Sequence, residues 1–111
     1  MRPHPVKRGG MTIWPLNQRP DASGRHAYKM RLSARRRKPT LRTHEGHEWL
    51  YVLSGRLRLV LGDQDLVLEP GEAAEFSTWT PHWMGAVDEP VELIAIFGSH
   101  GERVHVLQES A

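Results

Sequence analysis

Five side chains have the types and spacing to do chemistry. His44, Glu45, His47 and Glu48 crowd into five residues ahead of an apolar run, and His82 follows Pro81 some thirty residues downstream. Imidazole nitrogens and carboxylate oxygens are the donors a divalent transition metal takes, and they equally suit a pocket for a polar small molecule. The chain has zero cysteines, so a thiolate site, a disulfide framework and a cysteine nucleophile are all excluded.

The elements that must position these groups read as strands. After Glu48 come Trp49-Leu50-Tyr51-Val52-Leu53, closed by Ser54-Gly55, and then apolar residues at 57, 59 and 61 alternating with Arg56 and Arg58. A period of two predicts β-structure, with Glu48, Leu50 and Val52 on one face and Trp49, Tyr51 and Leu53 on the other. Ser54-Gly55 predicts a tight hairpin turn between the two runs. Further strands are expected at Met11–Leu16, a short edge strand whose end Pro15 marks, at Arg25–Ser33, with His26 on the face of Tyr28, Met30 and Leu32, at Leu66–Leu68, at Ala73–Phe76, at Val104–Leu107, and at Val91–Phe97, the most hydrophobic and therefore central one.

The same residues resemble a family, the cupins. Their first motif runs glycine, five residues, His-x-His, three or four residues, Glu, six residues, Gly. Here His44 takes the second histidine position and Glu48 and Gly55 stand in the required relation, while Arg42 occupies the first histidine position and Arg36 that of the opening glycine. The second motif maps onto Gly71, Ser77, Trp79, His82 and Ala86, of which the glycine and the histidine match. Fifteen residues separate Gly55 from Gly71, the short interval of small single-domain cupins. The wording THEGHEWLYVLSGRLRLVLGD, LEPGEAAEF and PHW is similar to the C-terminal sensor half of helix-turn-helix regulators of the xenobiotic-response-element family. The resemblance implies a small all-β, antiparallel jelly-roll barrel over residues 25–108, with residues 1–24 as an irregular basic arm.

It also implies that Arg42, His44 and Glu48 look into the barrel, and two arrangements are open there. In one, His44, Glu48 and His82 hold one divalent transition metal (iron, manganese, zinc or nickel), His47 joining only through a bulge because strand parity turns it outward. In the other there is no metal, and Arg42, which cannot coordinate a cation, pairs with Glu48 or awaits the carboxylate of a small anionic ligand. Trp79 and Trp83 are expected at the barrel mouth, packing it or stacking on a flat ligand. The favoured function is small-molecule binding of the sensory kind. The alternative is a metal-dependent enzyme: a dioxygenase, isomerase or decarboxylase.

Charge is unevenly spread. Residues 1–43 carry twelve Lys and Arg against Asp21, and residues 44–111 carry three basic residues against twelve acidic ones. The basic part is expected to lie across the acidic body of its own barrel or a partner's rather than on nucleic acid. Pro3, Pro5, Pro15 and Pro20 with Gly9, Gly10 and Gly24 leave no room for a helix-turn-helix bundle, so direct DNA binding is not expected. No stretch approaches the ~20 apolar residues of a spanning helix, and the absence of cysteine suits a reducing cytoplasm. A homodimer is expected, with Trp49, Tyr51 and Leu53 as interface material.

Overall fold

The computed structural model describes residues 1–34 and 38–98. Nine strands form two antiparallel sheets: β1 (Val6–Arg8), β2 (Met11–Pro15), β3 (Arg25–Leu32), β4 (His47–Ser54), β5 (Leu57–Leu61), β6 (Gln64–Leu68), β7 (Ala73–Ser77), β8 (His82–Ala86) and β9 (Val91–Gly98). The larger sheet has the order β1-β2-β3-β9-β4-β7 and the smaller the order β6-β5-β8. This is the all-β jelly-roll architecture. No helix among the described residues is long and apolar enough to cross a membrane.

Alternation decides what each strand buries. Along β4 the residues Glu48, Leu50 and Val52 are buried, and along β9 so are Val91, Leu93 and Ala95. These meet Leu57 and Leu59 of β5 with Met30 and Leu32 of β3 to make the core. One end of the barrel is thereby plugged with aliphatic side chains. At the other end the inward position of β4 falls on Glu48, and the interior turns polar. As expected, β9 is central, flanked by β3 and β4.

Two expectations are corrected. Ser54-Gly55 does not close a hairpin: β4 pairs with β7 and β9, whereas β5 pairs with β6 and β8, so the chain crosses there from one sheet to the other. The β4–β9 register shifts between Val52 and Ser54, which frees β4 from its ladder just before the crossing. The 1–24 arm is not irregular throughout either. β1 and β2 lie inside it and extend the larger sheet, because Pro5 precedes the first strand and Pro15 is the last residue of the second, so neither proline interrupts a ladder. The strand expected at Val104–Leu107 lies outside the described residues, as does the end of the barrel near residue 108. Two cations of the basic part do reach the acidic body: Lys29 and Arg31 both pair with Glu92 on β9.

Candidate functional site

A cavity of about 510 Å³ opens at the polar end, between β1–β3 and the β8 edge of the smaller sheet. Met11, Ile13, Tyr28, Met30, Met84 and Phe97 supply its apolar wall, and Arg42, His44, Glu48 and His82 supply its polar pole. Register explains the convergence. Arg42 and His82 exchange backbone hydrogen bonds (N to O, 3.1 and 3.0 Å), so their side chains leave the backbone on the same side. The His44 N–H donates to the Thr78 carbonyl at 3.0 Å, which ties the segment before β4 to the turn before β8.

Within this pole the imidazoles of His44 and His82 stand edge to face, centroids 4.9 Å apart. Nδ1–H of His82 donates to the Thr80 carbonyl at 2.9 Å, since a carbonyl only accepts; in the neutral ring this leaves the Nε2 lone pair for a partner. Burial pushes the His44 imidazole below its usual pKa, opposed by the Glu45 carbonyl and reinforced by the positive fields of His82 and Arg42. Glu48 is 2% exposed, and its Oε2 has no hydrogen-bond partner among the described residues. Burial raises its pKa to about 8, so at neutral pH it is mostly the protonated acid, able to donate a hydrogen bond. Arg42 is solvent-exposed at the cavity and has no ion-pair partner among the described residues. The pairing of Arg42 with Glu48 is thus not formed.

The residues do not close around a metal ion. Among the described residues no three histidine, aspartate or glutamate side chains are grouped to hold one. Two imidazoles approach each other, but Glu48 does not join them as a third donor, and the position that would supply another carries a guanidinium.

Other expected site residues fall elsewhere. His47 points away from the cavity, its Nε2 3.0 Å from Oε2 of Glu75 and its ring against Trp49. Trp79 is 60% exposed and does not line the cavity, because the turn that bonds Thr80 N–H to the Ser77 carbonyl swings it outward. Trp83 borders the cavity, yet it lies on the face of β8 opposite His82, its indole over Gly85 with the Arg58 guanidinium 5.7 Å from the ring. The edge strand expected at Met11–Leu16 forms as β2, but sequence reasoning missed β1 and missed that Val6, Arg8, Met11 and Ile13 line the cavity. For β1 the signal was the alternation at 6 and 8, obscured by the surrounding prolines and glycines.

A family model for the cupin domain matches residues 28–97. The chain belongs to the cupin family. No curated protein sequence matches it. Among solved structures, this cupin superposes on an HTH_3-family transcriptional regulator from Vibrio cholerae (TM-score 0.69, 22% identity, covering 80% of this chain and 51% of the regulator). It superposes as well on KdgF from Halomonas sp. (TM-score 0.71, 22% identity, 89% and 88%) and on hydroxypropylphosphonic acid epoxidase from S. wedmorenis (TM-score 0.75, 19% identity, 85% and 54%). The cupin spans about half the length of the regulator and of the epoxidase. At such identities the likeness speaks for the fold.

Proposed function

We propose that this cupin is a small-molecule-binding module of the sensory kind. Its ligand is amphipathic: an apolar body against the Met11–Phe97 wall and an anionic or hydrogen-bond-accepting head at Arg42, Glu48 and His82. The observation that carries this reading is the buried Glu48 carboxyl with an unpartnered oxygen at the wall of an otherwise formed cavity. A buried polar atom left unpaired costs about 1–3 kcal/mol, which an incoming group that completes its hydrogen bond returns. The volume lies in the usual range for small-molecule sites. A guanidinium without an acidic partner adds a fitting anchor for a carboxylate head.

The test is a thermal-shift and calorimetric screen with matched pairs of one skeleton, an aryl-alkyl carboxylate against its primary amide. The carboxylate should raise Tm more than the amide. Arg42→Met should weaken carboxylate binding about 10- to 100-fold, the worth of one charge-assisted contact, and leave amide binding nearly unchanged. Equal binding of both compounds to wild type and variant would sink the anionic head.

The metal-dependent enzyme is the second reading. It is favoured by one observation, the Thr80-oriented His82 ring beside His44, since imidazoles held through one nitrogen by a carbonyl commonly offer the other to a metal. Elemental analysis after metal challenge decides it. This reading expects one equivalent of a transition metal that His82→Ala abolishes, whereas a metal-free wild-type protein removes it.

A further inference from the structure

β8 ends the smaller sheet, its one ladder made with β5, and the cavity opens along its other edge. Alternation along β8 sets where its backbone groups point. The Pro81 carbonyl accepts from Gly62 N–H and Val87 N–H donates to the Arg56 carbonyl, so the odd residues turn their N–H and C=O groups to β5. Those of His82, Met84 and Ala86 turn the other way, toward the cavity mouth. His82 gives both of its groups to Arg42. That bridge is isolated: in the same register Thr40 would stand opposite Met84, yet no backbone bond joins them. Among the described residues the N–H and C=O of Met84 and Ala86 therefore have no hydrogen-bond partner. An edge in this state is a template for another extended chain.

The surroundings of this edge define the chain that fits it. Extending the antiparallel Arg42–His82 bridge along β8 gives a strand whose direction runs toward Arg42. A residue placed opposite Met84 then points its C-terminal end at the Arg42 guanidinium, and a terminal carboxylate there accepts from both Met84 N–H and Arg42. Its own N–H donates to the Met84 carbonyl. Side chains opposite each other share a face, and Met84 packs against the core, so the side chain of this residue enters the apolar part of the cavity. Two positions before it, a carbonyl accepts from Ala86 N–H. There the edge ends, because Val87 N–H is already bonded to Arg56. The free edge thus spans only Met84 to Ala86, the length of a short peptide.

We propose that the ligand of this cavity is a short free peptide bound as an added strand on β8, its C-terminal carboxylate at Arg42 and Met84 N–H and its large apolar C-terminal side chain in the cavity. This rests on the small-molecule reading above and names the class of molecule. Main-chain pairing supplies affinity for any peptide, and the pocket facing the last side chain supplies specificity.

Calorimetry with acetyl-alanyl-phenylalanine tests it on the wild-type protein. The ester analogue, with oxygen in place of the phenylalanyl N–H, loses the bond to the Met84 carbonyl and should bind about tenfold more weakly. Met84→Pro removes the edge N–H, and proline is tolerated where that group faces away from a ladder. It should weaken peptide binding about tenfold, with Met84→Leu binding as wild type, circular dichroism confirming the fold, and the aryl-alkyl carboxylate of the preceding test bound as before. A ten-residue peptide with the same last two residues should bind no more tightly than the short one, and a tenfold gain would overturn the short-peptide assignment. Equal binding of peptide and ester, with the aryl-alkyl carboxylate still held through Arg42, overturns the added strand and leaves the sensory reading standing. Binding of neither ligand class overturns both.

Discussion

Gly55→Ala should destabilise the barrel by about 3 kcal/mol or more, while Gly71→Ala should cost only about 1 kcal/mol. Both glycines hold positive φ, +78° and +90°, where an L side chain pays roughly 1–2 kcal/mol. The surroundings differ. A Cβ at Gly71 would meet nothing within 4 Å, but one at Gly55 would press into the Pro90 carbonyl oxygen and stand 2.9 Å from the Val91 Cα. Those are backbone atoms of the strand that closes the core, so they yield only by shifting β9, where Val91, Leu93 and Ala95 are fully buried. Forced overpacking of that kind adds typically 1–3 kcal/mol. Urea unfolding checks the contrast, with a large fall in midpoint for Gly55→Ala, a small one for Gly71→Ala, and m unchanged in both. Equal losses would mean that only the left-handed backbone matters at Gly55.

That contrast also marks how far the fold was legible. A glycine between two β-periodic runs is visible in the chain, and so are the inward faces of β4 and β9, because alternation is local. Which sheet a strand joins is not local. Ser54-Gly55 has hairpin composition, and what makes it a crossing is the strand partners on either side, β7 and β9 for β4 but β6 and β8 for β5, most of them far along the chain. β2 was legible as a short edge strand ending near Pro15, but β1 was hidden for a related reason. A three-residue strand carries too few alternations to stand out among prolines, and its stability comes from docking on β2.

The site divides the same way. Spacing to Gly55 and Gly71 marked His44, Glu48 and His82, and strand parity set Glu48 and His47 on opposite faces, as the Glu48 burial and the His47–Glu75 contact bear out. Trp79 and Trp83 were assigned to the mouth by proximity in sequence to His82. A single turn, from Ser77 to Thr80, decides their directions, and nothing in the residue types reveals its sense. The distance between Glu48 and the imidazole pair is likewise a tertiary quantity that no spacing rule contains.

Glu48→Gln should make the ligand-free, chelator-treated protein more stable at neutral pH, by about 3 kcal/mol at pH 7, and should flatten its pH dependence. In the unfolded chain this carboxyl ionises near 4.5 and in the barrel near 8, because the buried site disfavours the anion. Between those values the folded protein holds a proton that the unfolded chain has released, so stability falls as pH rises, by about 1.36 kcal/mol per pH unit, and levels off on either side of the window. Glutamine resembles the protonated acid in shape and charge. Wild type and variant should therefore coincide below about pH 4.5 and diverge steadily up to pH 8. His44, whose pKa is depressed, acts in the opposite sense, favouring the folded state as pH rises through the ordinary histidine range, and it is common to both proteins, so the difference between the two stability curves isolates Glu48. In melting temperature the gap at pH 7 is on the order of 10 °C for a domain of this size. A pH-independent gap, or none, would mean that Glu48 is ionised in the barrel and satisfied by a charge the cavity already holds. The divergence expected instead identifies an acid kept buried and protonated at a stability cost. That cost is best understood through what Glu48 faces: a ligand whose acceptor atom takes the proton in a hydrogen bond should regain part of it, and should bind the wild type more tightly below pH 8 than above.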